Sequence, residues 1–387
     1  MVMHCRFEDR LAGCARALRR LRQRIEARRP DELPSALAAI EAAQRSGYWV
    51  ALMLDYELGE WLAPETTLPP PTGEPAPHHE DMDRARLTAL VFEEMVTEEP
   101  WAAPAAISAG ITSVRPRMDR ADYLRHINTI RELIAAGELY QVNYTQPLDI
   151  QTQGDPRTIY QHIAARHPVA HSVYIEDGER TILSFSPELF IQRESARLTV
   201  RPMKGTAPRH PDPDTDEQLG RELHNSVKNR AENLMIVDLL RNDLGRLAKP
   251  GSVQVSSLFT LERYPTVWTM TSTVTAEAPN ATFGDILHAL FPCGSVTGAP
   301  KIAAMRRIRQ MEVAPRGLYC GAIGWLAPNG DLSLNVAIRT LVLDRAGQGV
   351  YSVGGGIVHD SDAEQEWQEC HWKARILQDA MLTTAAA

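Results

Sequence analysis

Two short turn signals constrain the fold more than any other feature of this chain. Asp177-Gly178 stands between apolar runs at 171–176 and 181–185, and Pro328-Asn329-Gly330 between runs at 318–326 and 332–343. Asp-Gly and Asn-Gly tolerate the left-handed backbone of a tight hairpin, so each pair of runs reads as two neighbouring antiparallel strands. Further strands are expected at 47–57, 140–148, 189–193, around Leu198 and Val200, and at 350–353. Helices are expected at 8–29, over Tyr123, Ile127, Ile130 and Ile134 as far as Gly137, at 216–247, from Thr282, at 299–311 and at 361–382. Hairpins rather than strict strand–helix–strand alternation predict an α+β chain, a largely antiparallel sheet layered with helices.

Composition narrows the classes. With 387 residues, 44% of them hydrophobic, the chain can bury a substantial core, as two or three domains or as one large unit. The texture changes after Arg117, which divides an N-terminal portion, 1–117, from a core at 118–383. Six prolines and two histidines at 64–79 predict an exposed loop; His78-His79 has no partner ligand nearby and is not read as a metal site. A formal charge of −8 argues against general nucleic-acid binding. Five cysteines, odd in number and with no CxxC pairing, argue against a disulfide framework or zinc site and suit a reducing cytosol. No apolar run is long enough to span a membrane and the first residues lack an apolar signal core, so a soluble cytoplasmic protein is expected. At 8–29, Leu11, Cys14, Leu18, Leu21 and Ile25 recur every three or four residues, and Arg16, Arg19, Arg20, Arg22 and Arg24 form the other face. That is the pattern of an amphipathic helix with a solvated basic side, preferred over a nucleic-acid arm.

Several residues could carry chemistry. Lys204 lies in LTVRPMKGTAPR, where a strand is expected to run into a turn, with Gly205 clearing space beside its ammonium. Taken alone it would be a surface lysine. Glu188 follows Ser186-Pro187 at a strand junction, Glu232 sits in the apolar helix AENLMIVDLLRND, and Glu366 and Glu369 are three apart on the last helix, hence on one face. Mg²⁺ takes one or two carboxylates and completes its shell with water and an anionic substrate. Glu232, Glu366 and Glu369 could supply such a site if their helices meet. GSVTGAPK (294–301) opens a helix whose backbone N–H groups would attract an anion, although Lys301 is misplaced for a P-loop. GGGIV (354–358) offers more bare donors, and Arg339, read as lying on a strand, could clamp a carboxylate or serve only a structural salt bridge. Together these describe a pocket for a small polyanion with Mg²⁺, and a lysine and an acid at the reacting end.

The order YQVN, SPE, PxKGT, ENLMIVDLLRND, GSVTGAPK, GAIG, NVAIRT, GGGIV and a terminal acidic helix resembles the chorismate-utilising family across about 120–380. The resemblance implies the anthranilate-synthase-like fold, a two-layer α/β sandwich with the active site in its central cleft. Carried over, it makes Glu188 the general acid and Glu232, Glu366 and Glu369 the magnesium ligands. Tyr319, Arg339, Gly355, Gly356 and Lys373 fall where the family holds the substrate carboxylates, and Thr297 on the ring side. Gln141 falls where isochorismate synthases have a water-activating lysine, which argues against addition of water.

Lys204 selects the branch. Anthranilate synthases carry a small residue in this motif, whereas lysine is similar to the aminodeoxychorismate synthase branch. The resemblance implies that Lys204 adds to ring C2 of chorismate while the C4 hydroxyl leaves with a proton from Glu188; ammonia then adds at C4 and expels the lysine. A nucleophilic lysine must be neutral, so desolvation or a nearby cation is expected to depress its pKa. No cysteine sits in a glutaminase-like elbow, which implies a separate glutamine amidotransferase subunit as ammonia source, and a product passed on for 4-aminobenzoate and folate. Trp268 and Thr269 stand where some relatives have histidines, and Trp372 where asparagine is frequent. The alternatives are an anthranilate synthase large component, which Lys204 opposes, and a non-catalytic glutaminase-binding subunit, which the retained acids and lysine oppose.

Overall fold

A computed structural model describes residues 3–67, 84–105, 108–264 and 267–382. Every ladder between its strands is antiparallel. One unbroken series of pairings runs from Gly110–Pro116 through Gln141–Gln153, Gln348–Ile357, Thr340–Leu343, Thr181–Ser186 and His171–Glu176 to Cys5–Asp9. It continues through Cys14–Ala27, Leu87–Glu98, Trp49–Leu54, Ala322–Leu326 and Leu332–Val336 to Leu189–Glu194, Arg197–Arg201 and Val267–Glu277. Both hairpins expected from the turn signals are present. The early strands Cys5–Asp9 and Trp49–Leu54 pair directly with His171–Glu176 and Ala322–Leu326, on the far side of Arg117.

The folded-over sheet explains the continuous apolar runs. In Trp49–Leu54, Val50, Leu52 and Leu54 join the larger core under the helices, while Ala51 and Met53 join a second cluster with Phe7, Leu18, Phe92, Ile175 and Ile323. A strand buried on both faces must be apolar throughout. The helices cover the outside. Arg120–Ala135 is capped by Asp119, buries Tyr123, Ile127 and Ile130, and is followed by Gly137 at a φ of 81°. Ala363–Ala374 is capped by Asp362 and lies on the strand Gln348–Ile357.

The structure corrects several sequence readings. Residues 8–29 form no helix: they are the strand ends Cys5–Asp9 and Cys14–Ala27. Arg20 has a φ of 62°, and the register slips between Leu21 and Gln23. A bulge shifts the two-residue alternation by one, so the apolar positions mimic a helical period. The arginines are not simply solvated: Arg19 pairs with Glu98, and Arg20 and Arg22 with Glu93, on the neighbouring strand. The helix expected at 216–247 is two, Pro213–Asn225 and Val227–Gly245, broken at Ser226, whose hydroxyl accepts from Asn229 N and caps the second. The strand expected at 332–343 is also two, and Arg339 lies between them at a φ of 50°, not on a strand. Lys204 is in a bulged strand, Met203–Pro208, rather than a turn, and Gly354–Gly356 is strand as well. Of the proline-rich segment, Pro64–Thr67 is a 3-10 turn with Thr66 buried; 68–79, with His78-His79, lies outside the described residues.

Candidate active site

The motifs singled out in the sequence come together around one cavity of about 270 Å³, walled by the strands Met203–Pro208 and Gln348–Ile357, the helices Val227–Gly245 and Ala363–Ala374, and the loops carrying Glu188, Ser295 and Arg339. Lys204, Glu188, Glu232, Tyr319, Arg339, Gly356, Glu366, Glu369 and Lys373 all line it. Side chains crowd the glycines here. A Cβ on Gly356 would lie 2.4 Å from Gln141 Nε2 and 3.4 Å from Lys204 Nζ; one on Gly355 would lie 3.0 Å from Glu366 Oε2. At Gly205 (φ 89°) a Cβ would press on Leu223 and Asn229 at 3.2 Å, so glycine lets the lysine strand pass close under the helices.

Three expected residues are not in the wall. Thr297 is buried, and its hydroxyl donates to the carbonyls of Cys293 and Gly294 within its own loop. Gly355 sits behind its neighbours against Glu366. Gln141 is 1% exposed beneath Gly356, and neither its Oε1 nor its Nε2 has a hydrogen-bond partner among the described residues. Of the departures, Trp268 donates to Asp216 and Thr269 to the Gly205 carbonyl, whereas Trp372 is 62% exposed.

Charge is unevenly satisfied. Glu188 is 3% exposed, and burial pushes its carboxyl up against the opposing pull of Ser295, Lys204, the Met203 N–H and Lys373. Burial and the neighbouring Glu369 push Glu366 up to about 7, although Ser361 donates to its Oε1 at 2.7 Å. Burial raises Glu232 too. Glu369 is instead held low by Lys373, whose Nζ lies 2.6 Å from its Oε1 and also donates to the Gly354 carbonyl. Lys204, Lys228 and Arg339 face the same space, and none has a salt bridge or side-chain hydrogen bond among the described residues.

A cavity with three uncommitted cations and several crowded carboxylates suits an anionic ligand together with a hard cation. Among the described residues no three carboxylate, thiolate or imidazole groups form a ready-made metal cage. The glutamates supply hard oxygen donors from two helices, and further oxygens would have to come from ligand and water.

Sequence reasoning missed Lys228 and Ser295. Lys228 stands one turn before Glu232 on the same helix face, a spacing that could have revealed it. Ser295 was read only as part of a glycine-rich backbone cradle. Its hydroxyl donates to Glu188 Oε1 at 2.7 Å, across 107 residues of sequence, and no local pattern signals that contact.

The comparisons with known proteins agree with this picture. The model of the family described as chorismate binding enzyme matches residues 11–379. Aminodeoxychorismate synthase component 1 of Salmonella typhimurium is 42% identical over 295 residues, 76% of this chain and 63% of that protein. Anthranilate synthase component 1 of Streptomyces coelicolor is 37% identical over 292 residues, 74% of this chain and 57% of that protein. The chain thus matches about three-fifths of the length of these curated relatives. The crystal structure of anthranilate synthase component I from Streptococcus pneumoniae superposes with a TM-score of 0.77 at 25% identity, covering 88% of this chain and 85% of that one. The anthranilate-synthase-like fold follows from that superposition. With the family match running over nearly the whole chain, the chain belongs to the chorismate binding enzyme family.

Proposed function

We propose that this chain is the large component of an aminodeoxychorismate synthase, converting chorismate and ammonia to 4-amino-4-deoxychorismate. The observation that carries the reading is Lys204. Its amine faces the cavity that Glu188 also lines, at a motif position where anthranilate synthases keep a small residue. Lys204 attacks ring C2, the diene shifts, and the C4 hydroxyl departs as water with a proton from Glu188. Ammonia then attacks C4, and the double bonds shift back to release the Lys204 amine. Lys228, Arg339 and Lys373 hold the substrate carboxylates by charge and hydrogen bonding. Tyr319 and the bare backbone at Gly356 shape the pocket around them, Gly355 leaves room for the Glu366 carboxyl, and Thr297 and Gln141 support the ring side from behind.

Glu232, Glu366 and Glu369 would hold Mg²⁺, which when bound neutralises the ring carboxylate and draws charge from the developing dienolate. Ammonia comes from a glutamine amidotransferase subunit, in keeping with the designation of the Salmonella relative as a component. The product serves 4-aminobenzoate and folate synthesis. The five free cysteines suit a cytoplasmic setting, and among the described residues no helix is long and apolar enough to cross a membrane.

Product identification tests the reading. The protein is incubated with chorismate, Mg²⁺ and an ammonium salt, and the mixture is separated with mass detection. A 4-amino-4-deoxychorismate peak is expected. Anthranilate with pyruvate would refute the assignment in favour of the other branch, and capture of a glutaminase without any turnover would point to a non-catalytic subunit.

A further inference from the structure

Resting on the assignment of Glu188 as the acid, we propose that Ser295 is a positioning residue that fixes which oxygen of Glu188 carries the proton. Both donors that reach this carboxyl group, the Ser295 hydroxyl at 2.7 Å and the Met203 N–H at 3.4 Å, converge on Oε1. An oxygen that accepts two hydrogen bonds is the carbonyl oxygen of a protonated carboxyl group, so the acidic hydrogen belongs on Oε2. Ser295, in turn, lies 3.1 Å from the Cys293 thiol. Burial pushes that thiol up to about 11, so it keeps its hydrogen and can donate it to Ser295 Oγ. The result is a directed chain, Cys293 S–H to Ser295 O–H to Glu188 Oε1, with all three residues no more than 4% exposed.

The chain does two things. It locks the carboxyl plane, so Oε2–H keeps one orientation in a cavity where a free carboxyl could turn away. It also stabilises the charge left on Glu188 after its proton has gone to the departing hydroxyl oxygen, where the Oε2–H bond breaks and the hydroxyl leaves as water. Other ionisable groups acting on or near Glu188 are Lys204 from its strand, Lys373 from the last helix, and Cys320. None of these makes a hydrogen bond to its oxygens among the described residues.

The test compares Ser295→Ala, Ser295→Thr and Cys293→Ala with the parent protein by two readouts. The first is an infrared titration of the Glu188 carboxyl band, assigned by its loss in Glu188→Gln, on protein without substrate. The second is the pH profile of kcat and kcat/KM with chorismate and ammonium. A hydroxyl donor favours the carboxylate, so its removal raises the carboxyl pKa, by about one unit for a hydrogen bond to a charged group. In Ser295→Ala the infrared midpoint and the alkaline limb of the profile are expected to move up together by about that unit, with kcat falling about tenfold and KM nearly constant. Ser295→Thr restores both, and Cys293→Ala shows a smaller shift of the same sign, which keeps the test available if Ser295→Ala folds poorly. An infrared midpoint unmoved in Ser295→Ala and Cys293→Ala overturns the proposal. A moved midpoint with an unmoved pH limb upholds the hydrogen-bond chain and refutes the acid role of Glu188 instead.

Discussion

Replacing Glu366 by glutamine should stabilise the protein at alkaline pH. Glu366 titrates near 7 instead of the ordinary 4.5, because it is buried and faces Glu369. A raised carboxyl pKa means that the folded state binds more protons than the unfolded state between those two values. The favourable contribution of the protonated form is complete below about 4.5 and is lost as pH rises through about 7. The span between 4.5 and 7 corresponds to about 3 kcal/mol at most. Glutamine keeps the shape and the oxygen that accepts from Ser361 but cannot ionise. Urea unfolding in a chelator should therefore show the variant nearly level with the parent at about pH 5, and more stable by about 2–3 kcal/mol at about pH 8.5. Catalysis should be lost over the same range, so the residue would trade stability for function. A stability difference that does not change between the two pH values would refute the reasoning, because it would mean that Glu366 is not crowded by burial and Glu369. Added Mg²⁺ should stabilise the parent far more than the variant at alkaline pH.

Other substitutions test separate parts of the site. Lys204→Ala should lose most 4-amino-4-deoxychorismate formation or divert product toward anthranilate; chromatography of the products decides, and an unchanged rate and product would remove the covalent role. Gly356→Ala places a methyl 2.4 Å from Gln141 Nε2 and 3.4 Å from Lys204 Nζ. Its activity should fall as the Gln141 side chain is pushed aside under the lysine, while unfolding shows a loss of about 1 kcal/mol; near-parental kcat would show that the approach is not tight. Glu232→Gln should raise the Mg²⁺ concentration needed for half-maximal rate about tenfold or more, and an unaltered Mg²⁺ titration would count against it as a ligand.

The residues that line the cavity were more legible in the sequence than the scaffold, for physical reasons. Hairpins at Asp177-Gly178 and Asn329-Gly330 announce themselves because a tight turn imposes its own backbone requirement, met here by Gly178 and Gly330 at φ 88° and 89°. The strand Cys14–Ala27 did not, because Arg20 in the left-handed region and the slip near Leu21 shift the alternation by one and leave a helical rhythm. Ser226 breaks an otherwise continuous helix-compatible run, and only its capping hydroxyl marks the break. At the cavity, Glu366 and Glu369 could be placed on one face from spacing alone. The contact between Ser295 and Glu188 depends on how two distant loops pack, and no periodicity reports that.

The balance of charges around the cavity also separates structural from available groups. Lys373 already holds Glu369 and the Gly354 carbonyl, so any substrate carboxylate it meets must share it. Lys301, though inside the glycine-rich motif, is paired with Asp243 at 2.7 Å and serves the scaffold. Arg316, which sequence reading passed over, is fully committed: Glu312, the Val296 and Asn143 carbonyls and the Tyr56 ring take its whole guanidinium. It braces two residues of the cavity wall from behind. Among the described residues Lys204, Lys228 and Arg339 remain uncommitted at the cavity, facing carboxylates that burial has made reluctant to ionise. Under the proposed function a dianionic ring would meet those cations, and a bound Mg²⁺ would displace the protons that those carboxylates otherwise keep.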